Sequence, residues 1–211
     1  MKILCLYKND CAIELFNWLE RNGHTVVLWK EKLEESWCRE QKFDLIVNYT
    51  YGFILTESVL KTLNYNAVNI YNSYLPWNRW ADPNIWGILD DTPRGVTLHY
   101  MEPELDKGAI IAQKMVCDGE QGTLKSSYDN LDRAAKELFK ETFKFYQYWT
   151  EMKKRSIFKG NYHSIKDGKV IYSVIDTYDL PVFELKKGLT NYVGGGKNRV
   201  SYFENDEVCA A

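Results

Sequence analysis

Four side chains in this sequence have types and spacing that chemistry can use. Asn69 lies in the apolar run Ala67–Asn72 (AVNIYN) and is read as the end of its strand, and Tyr71 follows it two residues on. His99 sits late in the run Thr97–Met101 (TLHYM), and Asp106 lies in the loop beyond, within Leu105-Asp106-Lys107-Gly108. In open α/β sheets, ligands gather outside the carboxyl ends of the strands. A carboxamide donates N–H bonds, an imidazole exchanges a proton near neutral pH, and a carboxylate accepts one. A phenol, with a pKa of about 10, donates a hydrogen bond at neutral pH but hardly accepts a proton. Each group has a plainer reading when taken alone. A strand-end Asn often forms a turn, as does an Asp before Lys-Gly, and a His among apolar residues is often a satisfied core group.

Such groups need a scaffold, and the first seventy residues predict one. Lys2–Tyr7 (KILCLY) reads as a buried strand. Residues 11–22 place Ala12, Leu15, Phe16 and Leu19 on one helical face, and Gly23 stops that helix. His24–Trp29 and Asp44–Tyr49 are strand-like, residues 31–41 carry a weak helical period, and Thr56–Leu63 is a short helix before the Ala67–Asn72 strand. Alternation at this spacing predicts βαβ units on an open, doubly wound, mostly parallel sheet of Rossmann-like α/β class. Thr97–Met101 and Ile110–Val116 read as a strand pair. Thr123 caps a long helix expected to run to about Lys153, with Leu131, Ala134, Ala135, Leu138, Phe139 and Phe143 as its buried stripe. After Gly160 come short β-like pieces (VIYSVI and FEL), Pro181 and the triplet Gly194-Gly195-Gly196. They suggest a small, irregular, β-rich C-terminal subdomain, so the expected division is 1–155 and 156–211.

Composition excludes several classes. A net charge of -2 over 211 residues offers no footprint for nucleic acid. The five Cys are scattered and never in C-x-x-C spacing, which argues against a zinc site or a disulfide framework and for a reducing cytoplasm. No metal is expected. The opening MKILCLYKND is too short an apolar run for a secretion signal, and no run approaches the ~18 apolar residues of a membrane span. No G-x-G-x-x-G follows the first strand, so a nicotinamide enzyme is not expected. Aromatic residues are abundant, with 15 Tyr and 7 Trp, either to stack on ring-shaped ligands or to fill core and interface.

The ordered motifs Asn-Ile-x-Asn-Ser-Tyr-Leu-Pro, Ala-Asp-Pro-Asn-Ile-Trp, Gly-Val-Thr-Leu-His-Tyr-Met and Leu-Asp-Lys-Gly resemble those of the formyl-tetrahydrofolate-dependent formyltransferases. The match is strongest over residues 45–116. The Ser-Tyr-Leu-Pro-Trp-Asn-Arg spelling is most similar to enzymes acting on nucleotide-linked amino sugars and to the formylation domains of peptide synthetases. The resemblance implies 10-formyltetrahydrofolate as donor and direct attack of an amine on the formyl carbon. It implies that Asn69 donates to the developing oxyanion and that Asp106 handles or relays the proton. Tyr71 stands where the family has a His, so the usual base is replaced by a hydrogen-bond donor, at an expected cost of ~10²–10⁴ in rate. His99 is a candidate substitute base, or a group hydrogen-bonded behind the site. Trp80 is a second departure, since related sequences usually carry Gly there.

The resemblance also implies donor contacts at Tyr51, Gly52, Phe53, Ile54 and Leu55, whose backbone and apolar side chains would hold a pterin, and at Leu75 and Pro76. Ser73, Trp77, Asn78, Arg79 and Trp80 are the expected acceptor contacts, with Arg79 suited to phosphate. His163, in a Gly-Asn-Tyr-His segment, is either a further contact or a structural His. A nucleotide-linked amino-dideoxy sugar is the expected acceptor, in a cytoplasmic enzyme that can pair as a homodimer. Methionyl-tRNA is disfavoured, because the chain is short and acidic with no basic C-terminal domain. Two rivals remain: hydrolysis of the formyl-folate, and ligand binding without turnover.

Overall fold

The computed structural model describes residues 1–117, 121–155, 159–172 and 175–190. By its internal contacts the chain separates into two units. Unit 1 comprises Met1–Tyr71, Thr97–Gln113 and Ala135–Phe158; unit 2 comprises Asn72–Val96, Lys114–Ala134 and the chain from Lys159 onward.

The sheet follows from the apolar runs. Strands β1 (Lys2–Leu6), β2 (Thr25–Trp29), β3 (Leu45–Tyr49) and β4 (Ala67–Tyr71) alternate with helices α1 (Ile13–Arg21), α2 (Glu35–Gln41) and α3 (Glu57–Thr62). All five residues of β3 are buried, as expected of a parallel strand covered on both faces. After β5 (Arg79–Trp80) and α4 (Pro83–Leu89) come β6 (Gly95–Tyr100) and β7 (Ile110–Met115). The six-stranded order is β2-β1-β3-β4-β6-β7. The pairs β1·β2, β1·β3 and β3·β4 are parallel, and β4·β6 is antiparallel. The fold is thus the expected Rossmann-like α/β class, with a sheet that reverses direction between β4 and β6.

Helix α1 buries Leu15, Phe16 and Leu19, the face its period predicts, each contributing about 1.5–3 kcal/mol of transfer free energy. Thr56 caps α3 by accepting from the Val59 N–H. Helix α5 (Leu124–Phe143) has the predicted cap, with the Ser126 N–H bonded to Thr123 Oγ1 at 3.1 Å and the Thr123 N–H bonded to Ser126 Oγ at 2.9 Å. Its predicted stripe is buried throughout. It does not reach Lys153. The chain leaves α5 at Phe143, makes a short 3-10 turn, and resumes as α6 (Trp149–Met152). Trp149, fully buried, donates from its indole to the Thr142 carbonyl at 3.0 Å and packs edge-on against Phe139, Phe143 and Tyr146. Burying that ring competes successfully with continuing the helix.

The part of the chain after Gly160 differs from the β-rich expectation. Beyond β8 (Tyr162–His163), which pairs in parallel with β5, the described residues form α7 (Ile165–Tyr172) and α8 (Val182–Thr190). VIYSVI begins inside α7, with Ser173 and Val174 outside the described residues, and FEL lies inside α8. Two signals explain the difference. Ser164 and Asp167 form a capping box, with the Ser164 N–H bonded to Asp167 Oδ2 at 2.6 Å and the Asp167 N–H to Ser164 Oγ at 3.4 Å. Val182 and Leu185, spaced three apart, both enter a core with Ile85, Ile88, Leu124 and Ile171. The glycine triplet lies outside the described residues.

Candidate active site

The reversal of the sheet creates the site in unit 1. Asn69 is the middle residue of β4 rather than its end, and the register sets it directly opposite His99 on β6. Tyr71 is likewise opposite Thr97. Side chains two apart share a face of a strand, so Asn69, Tyr71, Thr97 and His99 stand on one face.

The hydrogen bonds fix the imidazole. His99 Nδ1 lies 2.8 Å from the Tyr100 carbonyl oxygen. A carbonyl only accepts, so Nδ1 carries the proton. In the neutral ring Nε2 is then the acceptor, and Asn69 Nδ2 donates to it at 3.1 Å. This assigns the carboxamide orientation as well. Burial pushes the His99 pKa below its usual value, and the nearby Asp106 carboxylate opposes that shift more weakly. Asp106 Oδ1 is 3.8 Å from Nε2, and only 10% of its side chain is exposed. Tyr71 sets its ring edge-on to the imidazole, with centroids 6.3 Å apart at 81°.

Asp106 reaches this position through a tight loop. Its own backbone is left-handed, with φ of 53°. At Gly108 an added Cβ would lie 1.7 Å from the Tyr100 carbonyl oxygen, which is the oxygen that holds His99. Glycine therefore lets the loop close against β6 and deliver the carboxylate.

The loop after β3 is also in unit 1. Thr50, at φ of 69°, starts it and accepts at Oγ1 from the Lys8 and Asn9 N–H groups at 3.2 and 3.0 Å. The Tyr51 N–H donates to Asn48 Oδ1 at 3.2 Å, and its phenol donates to the Glu31 carbonyl. Burial holds the Tyr51 pKa up at about 12. Leu55 enters the core, while Phe53 and Ile54 remain 45% and 57% exposed. At Gly52 an added Cβ meets only a Lys8 methylene at 3.4 Å, so space does not demand glycine there. Two exposed apolar side chains beside a polar backbone fit a planar heteroaromatic group such as a pterin.

The remaining expected residues lie in unit 2. Ser73 and Asn78 are buried and bonded internally. Ser73 Oγ donates to the Trp77 carbonyl at 2.7 Å, and Asn78 Nδ2 donates to Thr92 Oγ1 at 2.7 Å. Leu75 is buried and joined to Pro76 by a cis peptide bond, and the Pro76 carbonyl would lie 1.9 Å from a Cβ at Gly160. Arg79 is half-buried and donates to the carbonyls of Asn161 at 3.3 Å and Lys159 at 3.4 Å. Trp80 adopts φ of 79°, the left-handed region that favours glycine, and stacks on Tyr162 with centroids 5.4 Å apart. His163 stacks face to face on Trp86 at 3.9 Å and bonds Asp90 at 2.8 Å.

Sequence reasoning missed several partners. Thr97, fully buried, accepts at Oγ1 from Gln113 on β7 at 3.0 Å; pairing the predicted strands antiparallel would have found it. Asn161 bonds Asn78, Asp90 and His163 together, and only its place in the Gly-Asn-Tyr-His segment hinted at this. Among the described residues, no cluster of His, Cys, Asp or Glu is arranged to hold a metal, and no helix is long and apolar enough to cross a membrane.

Comparison with known proteins places this geometry. The family described as formyl transferase matches residues 20–143. The formyltransferase PseJ from Anoxybacillus kamchatkensis, solved with UDP-4,6-dideoxy-4-formamido-L-AltNAc and tetrahydrofolate, superposes with a TM-score of 0.77 at 33% identity. That match covers 88% of this chain and 97% of PseJ. The chain belongs to the formyl transferase family. A 4-N formyltransferase from Francisella tularensis shares the fold, with a TM-score of 0.69 at 21% identity over 81% of this chain and 78% of that one. Methionyl-tRNA formyltransferase from Listeria welshimeri is 35% identical over 100 residues, 47% of this chain. The matched stretch spans only 32% of that relative's length.

Proposed function

We propose that this protein moves a formyl group from 10-formyltetrahydrofolate to the amine of a nucleotide-linked amino-dideoxy sugar. The observation that carries the reading is the buried Asn69–His99 pair at 3.1 Å with Asp106 3.8 Å from the same imidazole nitrogen. PseJ supports the choice of acceptor and donor, being similar along almost its whole length and solved with a formamido sugar nucleotide and tetrahydrofolate. Residues 1–155 are the catalytic part in this reading, and 156–211 a small accessory part.

The folate supplies an activated formyl carbon, and the protein supplies position and charge. Asn69 spends one N–H on His99 Nε2 and keeps the other for the oxygen that becomes negative as the amine adds. A preorganised donor of this kind is worth about 10²–10³ in rate. Asp106 accepts the proton lost by the amine, directly or through water, and returns it to the departing folate nitrogen. His99 is a positioning residue, since its Nε2 is occupied by Asn69 and its pKa is lowered by burial. Tyr71 donates from its phenol and is not the base. Phe53 and Ile54 cover the pterin. Within unit 2, Arg79 and the Trp80–Tyr162 stack are the contacts of the kind a nucleotide takes.

The test supplies 10-formyltetrahydrofolate with a panel of acceptors and separates the products chromatographically. The panel contains UDP- and dTDP-linked amino sugars and methionyl-tRNA, plus a blank without acceptor. A formamido sugar is the expected product. Formate released in the blank at the same rate would make the protein a hydrolase. Tight binding without product, in the parent and in Tyr71→His alike, would make it a binding protein.

A further inference from the structure

Unit 1 also contains a cavity of about 840 Å³, walled in part by Tyr65, Tyr100, Tyr146, Asn66, Lys153 and Glu102. Sites for small molecules usually measure ~300–1,000 Å³. None of the residues given a role in formyl transfer above lines it. Three tyrosine side chains are in its lining. The polar lining is rich in donors and cations. Asn66 Nδ2 donates to the Tyr146 phenol oxygen at 2.7 Å, so the proton of that phenol has no acceptor among the described residues. The Tyr100 hydroxyl has no hydrogen-bond partner among the described residues either. The Lys153 ammonium lies 5.7 Å from the centre of the Tyr100 ring, and no carboxylate among the described residues pairs with it. Glu102 is neutralised by Arg155, whose Nη2 is 2.7 Å from its carboxylate.

We propose that this cavity is a second small-molecule site that takes a planar aromatic ring bearing a carboxylate or phosphate. The ring lies among the phenols, and its anionic group meets Lys153 and the two phenolic protons. The ammonium over Tyr100 can anchor the anion, while Tyr65 and Tyr146 add aromatic surface to the lining. The wall runs along Tyr100, Met101, Glu102 and Pro103, the stretch of chain that joins His99 to Asp106.

The proposal is tested by titrating the ¹⁵N-labelled full chain with 4-hydroxybenzoate and with phenyl phosphate. Acetate, inorganic phosphate and benzyl alcohol serve as fragments lacking either the ring or the charge. Saturable shifts of the Tyr65, Tyr100 and Gln147 amides are expected with the aromatic anions, and the tighter of the two identifies the anionic group. Lys153 is exposed, so Lys153→Ala should fold normally and weaken binding by about tenfold. Asn69→Ala should leave binding unchanged, which separates this site from formyl transfer. Absence of saturation at millimolar probe overturns the proposal. So do equal shifts with the fragments, or unaltered affinity in Lys153→Ala.

Discussion

Replacing Gly108 by Ala is expected to cripple formyl transfer while the fold survives. The new Cβ would start 1.7 Å from the Tyr100 carbonyl oxygen and 2.7 Å from its carbon, both inside the 3.0 Å that real Cβ atoms respect. The clash is with the backbone of Tyr100 rather than with a flexible side chain, so the loop must retreat by more than about 1 Å at a cost of roughly 1–3 kcal/mol. That is a fraction of the ~5–15 kcal/mol that holds a domain folded. Asp106 is two residues away and moves with the loop. If its distance from His99 Nε2 grows from 3.8 Å to about 5 Å, the attraction for a protonated imidazole falls by about 1 kcal/mol at an effective dielectric near 20. Misplacing a catalytic group by about 1 Å costs on the order of 10² in rate. Steady-state transfer to the acceptor found in the panel measures that loss. An NMR titration of His99 measures the other consequence. Asp106 raises the His99 pKa against burial, so its retreat lowers the pKa further, and the midpoint moves toward acid. A variant with kcat within about twofold of the parent and an unmoved midpoint would refute the role given to this loop.

Tyr71→His should restore a base at the family position and raise kcat by about tenfold or more; an unchanged kcat, with donor and acceptor both supplied, would refute that reasoning. Asn69→Ala should lower kcat by about 10²–10³ with little change in KM, as read in the same assay. Trp80→Gly should be more stable than Trp80→Ala by about 1 kcal/mol, because both lose the Tyr162 stack but only Gly relieves φ of 79°. Thermal melting reads that difference as a gap of about 2–4 °C. His99 is held neutral in the folded state, and its unfolded value is 6.5. Below that value the unfolded chain binds the extra proton, so stability is full above pH 6.5 and declines as pH falls toward the depressed folded pKa. Urea unfolding from pH 7 to 5 should show that decline, and His99→Gln should flatten it.

Most of the sheet could be read from the sequence because its signals are local. Apolar runs bounded by turns specify β1, β3 and β4, and a three-four spacing specifies α1 and α5. The site was half legible. Asn69, His99 and Asp106 stand out by type, yet their meeting depends on the antiparallel register of β4 and β6, which no local pattern states. The C-terminal helices were missed because their apolar residues are few and read as short β-like pieces. Only Ser164 with Asp167, and Val182 with Leu185, give them away. The break after Phe143 follows from the burial of Trp149, a tertiary preference without a breaker residue to announce it. The resemblance makes Ser73 and Asn78 expected acceptor contacts; in the fold Ser73 Oγ bonds the Trp77 carbonyl and Asn78 Nδ2 bonds Thr92 Oγ1, which braces the loop.

The direct opposition of Asn69 and His99 across two hydrogen-bonded strands has an evolutionary corollary. Residues 72–94 depart from one strand and return to the next, carrying β5 and α4 on the way. Insertions, deletions or rewriting of that excursion need not alter the ladder, so the Asn69–His99 pair can stay constant while the excursion changes. The same arrangement has one fragile point. A slip of a single residue between the two strands would turn the imidazole to the far side of the sheet, and no change in the excursion could compensate.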